Sequence, residues 1–293
     1  LRGLKKIAAF SFLQTVALVL GALILLLVGD SFLTSADLPI YAYVGSVFLM
    51  CVVSFIIWVY HKRGIEHSEK EAEKLIGTKA LLAVSFPLLL GQSMMLIMDK
   101  VDLLMLANLA TQDEVGIYTI AVKISMLAYI GLMAINAIAA PKFSELYAMG
   151  KMEDLKRIVQ QSTKVIFWIT LPPVSLFFIF PEFILSFFGE EFKAAAYCLM
   201  ILSFGKMFSA VSGSVGTLLQ MAGKQKYFQN VLISAAVLNV ILNYFLIPLH
   251  GIIGAAFASM ISNVYWNVLM IIFIKKNFGF YTFYLPFYFK IDA

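Results

Sequence analysis

Asp99, Lys100 and Asp102 stand inside an apolar run, Leu81 to Leu109, where their neighbours are almost all Leu, Met, Ile, Val, Ala and Phe. Carboxylates and an ammonium at membrane depth are costly unless they face water, protein or a ligand. On a helix Asp99 and Asp102 lie about 60° apart, with Gln92 and Met95 on the same stripe and Lys100 to one side. Such a stripe can line a polar cavity. There the two carboxylates can hold a coupling ion or proton, close a structural ion pair, or contact a substrate, and Lys100 can pair with an acidic neighbour or face the cavity. Lys123 and Lys206 also fall inside apolar segments, where each either faces the same cavity or snorkels to an interface. On its helix Lys206 shares a stripe with Ser209, Gly213 and Gln220. The expected substrate contacts are Lys100, Lys123, Lys206, Gln92 and Gln220, and the coupling-ion or ion-pair candidates are Asp99 and Asp102.

The elements that must position these residues follow from composition. The 293 residues are 61% hydrophobic and 13% charged, with a mean hydropathy of +0.91, where a soluble domain carries about 25% charged residues. An all-α polytopic membrane protein is expected. Apolar segments near the spanning length of about 20 residues are 8–28, 39–60, 81–109, 115–140, 164–181, 195–221, 228–247 and 252–274, which makes eight transmembrane helices. Helix punctuation separates them: Gly29-Asp30, Pro39, Gly64, Pro141, Gly150, Pro181-Glu182, Gly189, Gly223 and Pro248. Pro172-Pro173 should kink the fifth. The period-2 pattern of a membrane β-barrel is absent from the sequence. Cys51 and Cys198 both lie in apolar runs and are expected as free, buried thiols.

Loop charge sets the orientation. Arg2, Lys5 and Lys6, the loops 61–79 and 141–164, Lys224 with Lys226, and Lys275 with Lys276 carry the basic residues. The alternate loops (29–38, 110–114, 182–194, 248–251) hold Lys193 alone against Asp30, Asp37, Asp113, Glu114, Glu182, Glu190 and Glu191. Both ends of the segment are therefore expected on the cytoplasmic side of the cell membrane, and the +5 net charge is a topology signal with no nucleic-acid partner implied. Glu66 to Lys79 and Pro141 to Lys164 read as cytoplasmic helices that lie on the membrane or cap the bundle.

Arg2-Gly3-Leu4-Lys5-Lys6 and, about 220 residues later, Ala222-Gly223-Lys224-Gln225-Lys226 each precede two spans and a Lys-rich cytoplasmic stretch. Four spans lie between. This matches two related six-helix halves, with residues 1–79 holding the last two helices of one half and a linker, 80–276 all six of the next, and 277–293 the start of a further helix. By this count about four helices precede the segment, and a substrate site lies between the halves.

Enzyme chemistry finds little footing. There is no Gly-x4-Gly-Lys-Ser/Thr loop, His-Glu-x-x-His helix, Gly-x-Ser-x-Gly elbow or Cys/His cluster in the sequence, so no catalytic residue, metal site or cofactor is expected. A membrane glycosyltransferase or polymerase would need acidic residues on large outer loops, and the outer loops here are short.

Leu82 to Lys276 resembles the polysaccharide (lipid-linked oligosaccharide) flippases of the MATE-like superfamily. The resemblance rests on Asp99, Val115-Gly116-Ile117-Tyr118, Ala140-Pro141-Lys142-Phe143-Ser144-Glu145-Leu146-Tyr147 and Phe187-Phe188-Gly189-Glu190-Glu191-Phe192. It continues through Gly213-Ser214-Val215-Gly216, Leu219-Gln220-Met221-Ala222-Gly223-Lys224, Asn239-Val240-Ile241-Leu242-Asn243 with Ile247-Pro248, and Gly251-Ile252-Ile253-Gly254-Ala255-Ala256. It implies a twelve- to fourteen-helix fold of two pseudo-symmetric bundles that works by alternating access. It also implies a polyprenyl-diphosphate-linked sugar as the substrate carried to the outer leaflet, and other polysaccharide-assembly proteins as partners. A multidrug or toxic-compound exporter of the same superfamily is the competing reading. It would favour an aromatic and acidic cavity without cations.

Overall fold

Backbone groups inside a bilayer find no water to bond, so each crossing element must satisfy its own. The computed structural model does so with helices, and no strand occurs among its described residues, 17–30, 38–62, 78–284 and 286. The chain divides into two units, Leu1–Leu75 and Ile76–Ala293. Residues 8–16 of the first expected span, residues 66–77 of the expected cytoplasmic helix, and 287–293 lie outside the described residues.

In the first unit α1 (Leu18–Asp30) packs on α2 (Leu38–Lys62). The buried Ser46 hydroxyl donates to the Leu18 carbonyl at 2.7 Å, and Ala42 is buried beside it. Leu27, Ile40 and Phe48 project outward, as residues facing lipid would. Cys51 is exposed rather than buried as expected, whereas Cys198 is buried, and both are free thiols. Cys51 lies on the outward face of a helix that is apolar all round, so sequence alone did not tell its two faces apart.

The second unit contains α3 (Thr78–Leu109), α4 (Gln112–Leu127), α5 (Ile130–Ala148), α6 (Met152–Ile179) and the short α7 (Pro181–Ser186). A 3-10 turn (Glu190–Ala195) leads into α8 (Ala196–Ser212), α9 (Val215–Met221) and α10 (Gln225–Phe278). Among the described residues of both units, four helices are long and apolar enough to cross a membrane, α2 of the first unit being one of them, or five if α4 and α5 count as one bent span. Several expected spans are interrupted rather than straight. α4 and α5 meet at 45°. α4 itself starts with a capping box: the Thr111 hydroxyl accepts from the Glu114 amide, and Glu114 Oε2 accepts from the Thr111 amide at 2.9 Å, which satisfies two of the orphan donors of a helix start.

The expected span 195–221 is broken at Gly213, whose φ of 77° and ψ of −150° end α8. That conformation belongs almost only to glycine, and a Cβ there would overlap the Thr163 side chain of α6. α10 is 54 residues long, about 80 Å if straight, far more than the bilayer core of about 30 Å. Gly251 breaks it with a φ of 54° and ψ of −133°, just after Pro248. The break lies where a turn was expected between 228–247 and 252–274. By contrast α6 runs unbroken through Pro172 and Pro173. Residues 141–148 and 152–163 are not separate surface helices but extensions of α5 and α6, with Phe143, Leu146, Leu155 and Val159 buried. Over the described part of 277–293, where a further helix is expected to start, α10 runs to Phe278, Gly279 caps it in the left-handed conformation, and residues 280–284 are not helical.

Two apolar cores fill this unit. One joins Leu106, Tyr118, Phe177, Leu199, Ile247 and Ala255; the other joins Phe143, Leu155, Leu218, Phe228, Trp266 and Met270. α3, α8 and both arms of α10 place mutually hydrogen-bonded polar residues inside the unit. This polar level holds Asp102, Asn239, Asn243 and Ser259 and, one turn further along α10, Ser209, Asn263 and Asn267.

Gly213→Ala should destabilise the detergent-solubilised protein by about 2 kcal/mol or more, through backbone strain plus overlap with Thr163. Gly150→Ala, at a left-handed turn with open space around it (φ 68°), should cost about 1 kcal/mol. Thermal-shift midpoints of the two variants check the order.

Candidate functional site

Residues of this polar level border a cavity of about 380 Å³, lined by Gln92, Met95 and Asp102 of α3, Ser125 of α4, Tyr129 at the α4–α5 bend, Lys206 of α8, and Ser259, Asn263 and Trp266 of α10, among others. Asp102 is 4% exposed. A buried carboxylate needs hydrogen-bond donors or a cation to offset its lost hydration, and here three neutral donors supply the hydrogen bonds. Tyr118 Oη donates at 3.1 Å, Asn243 Nδ2 donates at 2.6 Å, and the Ser259 hydroxyl donates to Oδ2. These donors come from α4 and from both arms of α10, so one side chain of α3 ties four stretches of helix together. Asn243 is itself 3.2 Å from Asn239 Oδ1, one turn earlier. Asn243 thus bridges α10 to α3.

Among the described residues the ion pairs are Lys142–Glu145, Lys156–Glu153 and Lys193–Glu190, all one helical turn apart and all with exposed side chains. None involves Asp102.

A second polar cluster lies one turn further along α10. Ser209 Oγ donates to Asn263 Oδ1 at 2.6 Å, and Asn267 Nδ2 donates to Ser209 Oγ at 3.1 Å, to Asn263 Oδ1 at 3.0 Å and to the Asn263 carbonyl at 2.9 Å. Lys206, one turn before Ser209 on α8, holds its ammonium 5.1 Å from the centre of the Tyr129 ring, a cation–π distance.

Of the residues expected to form a site, Gln92, Asp102 and Lys206 meet at this cavity, as does Met95 of the same stripe. Lys100 and Lys123 are exposed and do not line it. Gln220 is partly buried on α9 and does not line it either, because the break at Gly213 takes it off the Lys206 stripe. The side chain of Asp99 lies outside the described residues. Ser259, Asn263, Asn267 and Tyr118 were not expected as site residues. The first three recur at i, i+4 and i+8 in an otherwise apolar helix, a spacing that puts them on one face and was the available signal.

A model of the MatE family matches residues 87–245, and one described as "Polysaccharide biosynthesis protein" matches residues 2–147. Over 162 residues the chain is 26% identical to the probable low-salt glycan biosynthesis flippase Agl15 of Haloferax volcanii, covering 55% of this chain and 34% of that protein. Over 239 residues it is 25% identical to the capsular polysaccharide biosynthesis protein CapF of Staphylococcus aureus, covering 78% of this chain and 59% of the relative. The chain therefore spans 34% and 59% of the lengths of these two proteins. A crystal structure of a MATE mutant shares the fold, with a TM-score of 0.70 at 18% identity over 89% of this chain and 61% of that one. Matched by the MatE model over more than half of its length, and folded as a MATE structure is, the chain belongs to the MatE family.

Proposed function

We propose that this chain is the working core of a flippase that carries lipid-linked oligosaccharide units across the cell membrane by alternating access, with a polyprenyl-diphosphate-linked sugar as substrate. One observation carries the reading: a cavity in the polar level holds a cation, Lys206, beside neutral hydrogen-bonding side chains, Gln92, Ser125 and Asn263. Such a lining suits the hydroxyls and diphosphate of a sugar head group. The names of the two relatives, one a probable glycan biosynthesis flippase and one a capsular polysaccharide biosynthesis protein, support it.

In this proposal the protein has twelve to fourteen helices in two bundles. Residues 1–79 supply the last two helices of the first bundle and a linker, residues 80–276 the six helices of the second, and residues 277–293 lead into the start of a further helix. All eight spans of the segment cross the membrane, with both its ends cytoplasmic. Lys206 and Gln92 contact the head group inside the cavity, while Lys100 and Lys123 meet it along the exposed faces of α3 and α4. Gln220 acts from α9 at the cytoplasmic mouth. Other polysaccharide-assembly proteins deliver and receive the substrate.

Asp102 is the proposed coupling site, with Asp99 as its neighbour in the same role. An ionised carboxylate met only by the neutral donors Tyr118, Asn243 and Ser259 leaves the site one positive charge short. A proton or a small hard cation supplies it, and oxygen atoms are the ligands such cations take. Buried Asn243 Oδ1, which has no hydrogen-bond partner among the described residues, adds one such atom.

The second reading is a toxic-compound cation antiporter. It is favoured by the flexible methionines Met95, Met98, Met126, Met133 and Met260 in the same lining, a side chain suited to promiscuous surfaces.

Deleting the full-length gene should cause cytoplasm-facing lipid-linked oligosaccharide to accumulate. Wild type should clear it, and a Lys206→Ala variant expressed to the same level should not. No accumulation on deletion, with raised sensitivity to organic cations instead, would replace the flippase by the antiporter. Asp102→Asn should keep the fold yet lower gradient-driven transport in proteoliposomes by about tenfold or more, down to the rate without a gradient; a retained gradient response would remove Asp102 from coupling. For the orientation, single cysteines introduced on a Cys51→Ala, Cys198→Ala background give the readout. Gln112→Cys should react with an impermeant maleimide in intact cells, and Met149→Cys only after permeabilisation.

A further inference from the structure

A second concavity lies on the far side of α8. The cavity residues Leu202, Gly205 and Lys206 share one face of that helix. Phe204, Met207 and Val211 turn to the opposite face, where they line a groove of about 440 Å³ with Val268, Ile271 and Ile272 of α10. Phe204, Val268 and Ile272 are exposed, so the groove is open along its length. Its lining is hydrocarbon except for Ser212, whose hydroxyl already donates to the Phe208 carbonyl at 2.8 Å. One end of the groove is charged. Phe283 lines it, and the Phe283 and Tyr281 ring centres are 5.1 Å apart. The Lys275 ammonium stands 4.5 Å from the centre of the same Tyr281 ring. Lys275 spends one N–H on the Gly279 carbonyl at 3.0 Å and has two more, because an ammonium carries three. Lys275 and Lys276 follow Ile271 and Ile272 by four residues on α10, so they extend the groove face by one turn. Long helical side chains lean toward the helix N-terminus, which here is toward the groove. Both lysines are exposed, and no ion pair among the described residues involves either.

We propose that this groove binds an anionic phospholipid of the surrounding bilayer, one acyl chain lying along Phe204, Val268 and Ile272 and the phosphate meeting Lys275 and Lys276. Each part of such a lipid has its counterpart. A lining with no free polar group suits a hydrocarbon chain, and its volume falls within the range of about 300–1,000 Å³ usual for small-molecule sites. Bonds from an ammonium to a phosphate are charge-assisted and strong. Tyr and Lys side chains settle at the membrane–water boundary, the depth of the phosphates, and Tyr281 and Lys275 stand together at the groove end. Basic sites between transmembrane helices recognise anionic head groups by this combination. The transported molecule is not the occupant, because the body of α8 separates the groove from the cavity. A molecule with its head group beside Lys206 would have to pass its chain around that helix to reach Phe204. The inference therefore holds for either transport reading. The bound lipid braces α8 against the second arm of α10 and against residues 280–284, which the Tyr284 amide ties to the Val211 carbonyl at 3.0 Å.

The test uses the purified full-length protein in detergent, stripped of bound lipid. Its thermal unfolding is followed as dioleoyl phosphatidylglycerol or dioleoyl phosphatidylcholine is added, two lipids with the same chains and different head groups. Phosphatidylglycerol should raise the wild-type midpoint and half-saturate at about tenfold lower concentration than phosphatidylcholine. Replacing both lysines, Lys275→Gln with Lys276→Gln, should bring the two lipids within about twofold of each other. Val268→Trp, which fills the groove, should raise the half-saturating concentration of both lipids by about tenfold or more. If Val268→Trp does not fold, Ile272→Trp at the exposed edge takes its place. Equal response of wild type to the two lipids overturns the proposal, as does a preference for phosphatidylglycerol that survives loss of both lysines. A folded Trp variant that responds as wild type does also overturns it, because the groove is then covered by protein. A wild type that is dimeric by light scattering, ignores both lipids and is split by Val268→Trp gives the groove to a second copy of the chain and overturns it equally.

Discussion

A carboxylate buried at 4% exposure in an apolar bundle is tolerable only when its neighbours supply what water did, and much of the second unit is arranged around that requirement at Asp102. Each donor must come from a helix close enough to reach it, so Tyr118, Asn243 and Ser259 fix how α4 and the two arms of α10 stand around α3. Helix association in lipid has no hydrophobic drive between apolar faces and relies on packing and on such polar contacts. The two apolar cores are each built from residues that could as well have faced lipid. The polar level supplies the specificity of assembly that apolar packing alone lacks.

The breaks in the helices serve the same level. Gly213 ends α8 just after Ser209 and Ser212, and Gly251 turns α10 back so that Asn243 and Ser259, on opposite arms, reach one carboxylate. A continuous α10 would separate those two residues by 16 positions, about 24 Å along the axis. The bend between α4 and α5 likewise delivers Tyr129 to the cavity, opposite Lys206. Irregular backbone at membrane depth occurs where it lines a cavity or is buried in protein; Gly213 is buried and Tyr129 lines the cavity.

Much of this was legible in the sequence. The apolar runs marked the helices, the charged trio pointed to the cavity wall, and Pro248 with Gly251 marked the turn in α10. The stripe argument has a counterpart in the cavity lining at Gln92, Met95, Asp102 and Lys206, where α3 and α8 are regular. It failed for Gln220 because periodicity carries across a glycine on paper but not across a residue with φ of 77°. Lys100 and Lys123 were read as cavity residues from charge alone, yet their helix faces look outward; in a helix apolar all round, nothing local distinguishes inside from outside. Asn263 escaped notice for the opposite reason. A lone amide in a span is ordinary, and its meaning comes from Ser209, 54 residues away in sequence.

Asp102 and Lys206 line one cavity without forming an ion pair with each other. In a medium of low polarity opposite charges attract strongly, so their separation has to be held by structure. Tyr118, Asn243 and Ser259 hold the carboxylate at one end, and the Tyr129 ring lies under the ammonium at the other. Ser259 and Asn263 stand one turn apart on the same arm of α10, the first bonded to Asp102 and the second to the helix that carries Lys206. A shift of that arm large enough to release Ser259 from Asp102 would also strain the bond between Asn263 and Ser209. The two polar clusters therefore share a mechanical element as well as a cavity, and a change of charge at one end acts on the same helical turn that shapes the other.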